Sequence, residues 1–545
     1  MATLSLVGEP RISGKPSWIE RSLNVKAGRD PLGLQTITLD RIMPILLPGI
    51  LVLSRRARYF SLFPFLLREY ERLRLDPTNE GLSEFVKRRE FEYAVAVQLC
   101  PNGCGAISAG AVGKDRAVPA LNQLVGDAVP RQESVKSVLS GYGLYYRSPL
   151  IDLGVVIPKG TPTGDLVTPV DVVAREGRVQ ELADAFAEAI SDTKYRREHM
   201  LGTDPIPVTV LRELSEQACL CRLPDFPDEQ GLLRRALFDT PAGQVEAIGR
   251  DFDQRRRSFA LFLRELGRAP DVRESSSSFR HAVWEDFAEE PTGDSSLSQT
   301  RAQWASLVAK EYLQEAISCV FAHFCRLGLA AQEPDGLSPN DLDRLIVGPL
   351  LGRGPLRLAD TEVAYNELFA TTSFASAVVH ASARFSLEQL RAWAVSQGTA
   401  VAGLALALVL IARLPDRATA STEWAKIGLQ HSDRQPSLLG FAHLIERHLA
   451  EQPTLAETVR WLTRRLLIAA HEQIAYSKLP DFTFRFRWES GRLRFYPIGG
   501  ERFELADMRR ESMSRISEDI GLWQLSGDTA WLTEQGHQFV ADVFG

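Results

Sequence analysis

The apolar residues of this 545-residue chain recur mostly at helical spacing, and that periodicity restricts the fold more than any other feature. Leu182, Phe186, Ala189 and Ile190 share one helical face, and Phe252, Phe259, Phe262, Leu263 and Leu266 mark another. Further helices are predicted over 303–329, within 382–414 and over 454–476, the last opened by the capping box of "TLAE" after Pro453. Strand signals are short. "FTFRFRWESGRLRFY" (482–496) alternates around Ser490 and Gly491 as a β-hairpin does, and "LWQLSGDTAWLT" (522–533) reads as a second tight hairpin. Residues 1–53 read as irregular structure with one or two short strands, and 141–171 as hairpin and loop. No period of 20 to 50 residues repeats, so a regular solenoid is unsupported. The expected class is mainly α with small β elements (α+β). It is a multi-domain helical protein whose C-terminal end, a helix near 503–520, the second hairpin and a closing helix, has winged-helix-like order.

A chain of this length exceeds one hydrophobic core. Boundaries are expected to give an N-terminal α+β domain over 1–140, a mixed hairpin and helical domain over 141–273, and a helical domain over 301–480. A Ser-rich acidic linker over 274–300 and a winged-helix-like module over 481–545 complete the division. With 45% apolar and 24% charged residues the composition is that of a folded protein. The N-terminus lacks a signal-peptide pattern. The two most apolar runs, 42–53 and 400–412, fall short of the roughly twenty residues that span a bilayer, so no membrane is expected. Six cysteines are too few for a disulfide framework, which agrees with a reducing, cytoplasmic location.

Chemistry is sparsely announced. "GCGAISAGAVGKDR" (103–116) resembles a phosphate loop but carries Ser108 where a Walker loop has glycine and Asp115 where it has Ser or Thr, so a flexible turn is expected. Cys100 and Cys104 bracket a turn that can present two thiolates to zinc, and Cys219 and Cys221 are the obvious second pair. On a helix, however, positions two apart diverge by about 200°. That argues for buried structural thiols, with no metal and no cofactor, unless the segment unwinds. Cys319, His323 and Cys325 have the same fault; His443 and His448 are five apart, one step too many for ligands on one helix face. His471 reads as a satisfied core residue. There is no nucleophile elbow and no H-E-x-x-H pattern, and no catalytic residue is singled out.

Net charge is −6, so any nucleic-acid binding requires a local patch. In "SRRARYFSLFPFLLREYER" (54–72), helical projection places Tyr59, Phe63, Leu66, Leu67 and Tyr70 on one face and Arg58, Arg68, Glu69 and Arg72 opposite. Arg55 and Arg56, near its start, are the candidates there for contacting a partner. Residues 485–515 hold eight arginines against five acids. Of these, Arg485, Arg487, Arg492 and Arg494 form a candidate phosphate-facing ribbon, and Arg509, Arg510 and Arg515 lie along the candidate recognition helix.

"GRDPLGLQTITLDRIMPILLPGILVLSRRARYFSLFPFLLREYE" with "FVKRREFEYAVAV" resembles the N-terminal signature of a broad group of uncharacterised bacterial proteins often encoded in antiphage defence islands. The tail "MSRISEDIGLWQLSGDTAWLTEQG" is similar to winged-helix ends found there and in small transcription regulators. The resemblance covers about the first 115 and the last 90 residues. It implies a non-catalytic sensor or adaptor subunit working beside an ATPase, helicase or nuclease of the same operon and binding DNA or partner protein. Two alternatives stand beside it: a metal-dependent nuclease or other hydrolase with a site assembled from distant residues, and a purely structural protein scaffold.

Overall fold

Helix dominates, as the periodicity requires, in the computed structural model. It describes residues 30–104, 111–163, 166–175, 177–239, 252–289, 295–331, 334–351, 356–358, 361–363, 371–414, 438–502 and 505–545. The chain divides into two units, each discontinuous in sequence. One, the cysteine unit, is Pro44–Phe279 with Asp507–Gly545; the other, the long-helix unit, is Met1–Met43 with Arg280–Ala506.

The cysteine unit opens with α1 (Tyr59–Arg72), which begins well ahead of Pro64 and carries it internally. The two-faced reading of this stretch holds in part: its apolar face is buried and Arg72 is exposed. Besides the apolar residues, Arg58 and Glu69 are buried, because α1 is covered on both sides. Tyr59 stacks on Phe63 at 5.4 Å and meets Tyr93 edge-on at 5.6 Å. Next comes α2 (Asn79–Gln98), capped by the Thr78 side chain. Its buried Glu90 accepts from the Ser134 and Ser140 hydroxyls at 2.6 and 2.7 Å and from the Gly141 and Tyr142 amides, which ties the 134–142 loop to the helix. Burial raises the Glu90 pKa against these donors. The 141–171 segment is helical over 142–152 before two-residue β pairs follow, Val156–Ile157 with Val172–Val173 and Pro162–Thr163 with Leu166–Val167. Then come α3 (Gly177–Ala189), α4 (Val208–Ala218), α5 (Pro227–Phe238) and α6 (Phe252–Arg268).

The segment read as a Ser-rich linker contains α7 (Ser276–Glu289), and the division between units passes through it. Its serines conceal Phe279, Val283, Trp284 and Phe287, a helical set that is buried. In the long-helix unit, α8 (Ser296–Ala331) runs about 54 Å at helical rise and is buried almost throughout from Thr300 to Cys325. It packs on α10 (Ala400–Ala412), which follows α9 (Leu387–Gln397) across Gly398. The approach is close: a Cβ on Gly403 would stand 2.5 Å from the Ala316 carbonyl oxygen. α10 is the most apolar helix, and its burial against α8 accounts for that; no helix among the described residues is long and apolar enough to cross a membrane. The predicted capping box is present, Thr454 and Glu457 bonding each other's backbone. Residues 34–46, expected to be irregular or extended, are helical; residues 1–29 of that expectation lie outside the described residues. The first predicted hairpin is β1 (Phe486–Glu489) with β2 (Arg492–Phe495), turning on Ser490 and Gly491, both at positive φ. Its inner face, Phe486 and Phe495, packs on Phe324 of α8.

The tail returns to the cysteine unit as α11 (Arg510–Asp519), the hairpin β3 (Trp523–Ser526) with β4 (Thr529–Leu532), and α12 (Glu534–Phe544). This has the helix, hairpin, helix order of a winged-helix-like module. Trp523 anchors it, its indole N–H donating to the Ser514 carbonyl at 3.0 Å, and Phe539 of α12 rests on Phe238 of α5.

Candidate metal centre

The four cysteines split between two distant pairs meet in the cysteine unit. The ligand atoms of Cys100, Cys104, Cys219 and Cys221 all lie within 4.8 Å of one another, and Cys100 Sγ is 3.6 Å from Cys221 Sγ. A tetrahedral ion with bonds of about 2.3 Å sets its sulfurs about 3.8 Å apart, so the cluster has the span of one Zn²⁺. The first three thiols are buried and Cys221 is partly exposed. Four thiolates around one ion form a closed site, the arrangement of structural rather than catalytic zinc.

Each half of the site comes from a helix end. Beyond α2, Cys100 donates its amide to the Val97 carbonyl, and the "PNG" turn closes when the Gly103 amide donates to the Cys100 carbonyl at 3.0 Å. Gly103 has φ of 72° with open space around its Cα, so glycine is needed for backbone freedom there. On the other side α4 stops at Ala218. Cys219 is extended, with ψ of 152°, and a 3₁₀ helix takes over at Leu220. This is the unwinding that the sequence reading made its condition, and it overturns the divergence expected of Cys219 and Cys221.

The break in α4 is held by groups no motif disclosed. Arg58, wholly buried, donates to the Cys219 and Gln217 carbonyls at 2.8 and 3.1 Å, and the Tyr93 hydroxyl donates to that of Ala218 at 2.8 Å. The last carbonyls of the helix therefore have donors in place of water. Arg58 also pairs with Glu229 through Nη2 at 2.9 Å, and Glu229 takes the Ser61 hydroxyl at 2.6 Å. Asn102 donates its side-chain amide to Cys221 Sγ at 3.3 Å. Hydrogen bonds from the Cys104 and Cys219 thiols depress the pKa of Cys221, and the same contacts, first with Cys104 and then with Cys221, raise that of Cys219.

The arginines singled out in the sequence are engaged inside the fold. Arg56 is buried, forking onto both Asp519 carboxylate oxygens at 2.9 and 2.7 Å, and Arg55 pairs with Glu511 at 3.0 Å. On the ribbon, Arg485 holds the Gly499 carbonyl, Arg492 that of Gly336 and Arg494 that of Pro334. Arg487 and Arg494 stand opposite each other in register with Glu489 ion-paired to both. Arg509 is buried on the Leu47 and Ile50 carbonyls, Arg510 meets the Arg273 carbonyl, and Arg515 pairs with Glu518 at 3.1 Å. α11, the helix that a DNA-reading winged helix inserts in the groove, is here mostly buried: Arg510, Glu511, Arg515 and Glu518 are partly exposed, and each of these is hydrogen-bonded or ion-paired within the chain.

The remaining candidates disperse. Cys319 and Cys325 are buried, and His323 accepts the Ala400 amide. His448 stacks on Trp461. His471 is 1% exposed between the Pro31 carbonyl and the Arg485 amide, a satisfied core histidine as expected. Residues 105–110 of the glycine-rich run lie outside the described residues. Compared with family models, curated proteins and solved structures, the chain matches none.

Proposed function

We propose that the protein is metal-dependent, binding one Zn²⁺ through Cys100, Cys104, Cys219 and Cys221. The convergence of four sulfurs within 4.8 Å carries this reading. The ion ties the end of α2 to the break in α4 and sets the geometry of a helical scaffold that presents its surface to other macromolecules. The resemblance to defence-island proteins suggests the context, a subunit beside an ATPase, helicase or nuclease. A cytoplasmic location fits six free thiols.

The metal brings forward a second reading, the metal-dependent hydrolase. It needs a coordination position for water. Cys221, the one ligand within reach of solvent, is the group that would yield it. Metal analysis of the purified chain tests the shared premise, with one zinc per chain expected and no metal uptake refuting it. Incubating the zinc-loaded protein with plasmid and RNA separates the readings: intact nucleic acid supports the scaffold, and cleavage abolished by a chelator supports the hydrolase. Cys221→Ser distinguishes them further, because a water-bearing ligand position would raise cleavage where a structural site only weakens.

A further inference from the structure

The four sulfurs are unequal in a way that a purely structural site does not need. Cys104 and Cys219 are sealed, at 2% and 0% exposure, whereas Cys221 reaches solvent and lies 3.6 Å from Cys100. Both sit outside the α-helices: Cys100 opens the "PNG" turn, whose Asn102 and Gly103 are exposed, and Cys221 sits in a six-residue 3₁₀ helix. A disulfide needs the sulfurs at about 2.05 Å, so side-chain rotation over a short distance closes the gap.

We propose that Cys221 and Cys100 form a peroxide-sensitive pair whose oxidation to a disulfide expels the metal, which makes the centre a reversible redox site. The inference rests on the zinc reading above and adds its regulation. The Cys221 thiolate attacks one oxygen of hydrogen peroxide, the O–O bond breaks and hydroxide leaves, giving a sulfenic acid. The Cys100 thiolate then attacks that sulfur and displaces a second hydroxide as the S–S bond forms. Two protons from solvent convert both hydroxides to water. Each sulfur is oxidised by one electron and the peroxide is reduced by two. Zn²⁺ is left with Cys104 and Cys219 alone and departs, and a dithiol reductant with Zn²⁺ restores the four-ligand site. Cys100, at 6% exposure, is reached through the oxidised Cys221 rather than by peroxide, and Cys104 and Cys219, at 2% and 0%, stay reduced because peroxide does not reach them.

The test uses the full-length zinc-loaded chain. Metal content is measured first; a chain that takes up no zinc refutes the metal reading and this inference with it. Hydrogen peroxide is then titrated while zinc release is followed with a chromogenic chelator and disulfides are mapped by peptide mass spectrometry. The expected result is one zinc released per disulfide, the bond mapping to Cys100 and Cys221, with recovery on reduction. Cys221→Ser, loaded with zinc, should release it at least about tenfold more slowly because the exposed nucleophile is gone. Should that variant not hold zinc, the wild-type map still decides. Zinc retained under peroxide, a bond between Cys104 and Cys219, or overoxidation of Cys221 without a disulfide would each overturn the proposal while leaving the zinc site standing.

Discussion

The cysteine corner and the arginine-rich stretch 485–515 trade places between sequence and structure. In the sequence the arginines stand out as a local excess of charge, and the cysteines are set aside because two of them should diverge. In the fold, each of the arginines Arg485, Arg487, Arg492, Arg494, Arg509, Arg510 and Arg515 meets a carbonyl or carboxylate of its own chain, while the four cysteines converge. A charged residue advertises a partner without saying whose it is. A ligand set declares itself only when the backbone brings it together.

Four measurements bear on this contrast. The largest effect is expected from the metal: chelation, or Cys219→Ser, should lower stability by more than about 4 kcal/mol, the linkage value for a ligand present at 1,000 times its Kd. Thermal melts with and without added Zn²⁺ check it, and an unchanged melting temperature would reduce the corner to packed thiols. Second, Arg58→Met should cost about 3–5 kcal/mol, because Glu229 is left buried without its cation and the Gln217 and Cys219 carbonyls lose their donor. The double variant Arg58→Met, Glu229→Leu should recover part of that loss in urea titrations.

The third concerns pH in the long-helix unit. Burial holds the pKa of His471 down to about 4, so the folded state resists protonation that the unfolded chain accepts near 6.5. Its contribution is whole above the unfolded value and drains as pH falls from 6.5 towards 4, by up to about 3 kcal/mol. His471→Gln should flatten the dependence of stability between pH 7 and 4.5, and an identical slope in both proteins would refute it. The smallest effect is expected where the sequence pointed most strongly. Arg487→Ala with Arg494→Ala should change stability by no more than about 1 kcal/mol. DNA-binding slopes against salt should not change either, whereas a true phosphate contact removes about 0.9 from the slope per site. A shallower slope in the variant would return the ribbon to a nucleic-acid role.

Much of the architecture was legible because it is local. The α+β class, both tight hairpins with their Ser490-Gly491 and Gly527-Asp528 turns, and the Thr454 capping box depend on residues close in sequence. What escaped is long-range. The four buried apolar residues of α7 sat among serines whose composition argued for a linker. Arg58, assigned to the wet face of α1, is buried because Glu229, 171 positions away, receives its charge. The corner itself was half visible: the pairs Cys100/Cys104 and Cys219/Cys221 were named as possible ligands, and helix geometry dismissed them. The signal that would have reversed this is Pro224 with Pro227, which together make an unbroken helix through 219–227 costly.

The order of assembly along the chain has its own consequence. The cysteine unit waits for Asp507–Gly545, so a ribosome that has finished residue 279 must add more than 200 others before Asp519 exists to neutralise Arg56. At about 5–20 residues per second that interval is roughly 12–48 s, during which Arg56 has no carboxylate to meet it. Bound zinc needs only residues up to 221, so the corner is available to rigidify this fragment early and shield it while translation catches up.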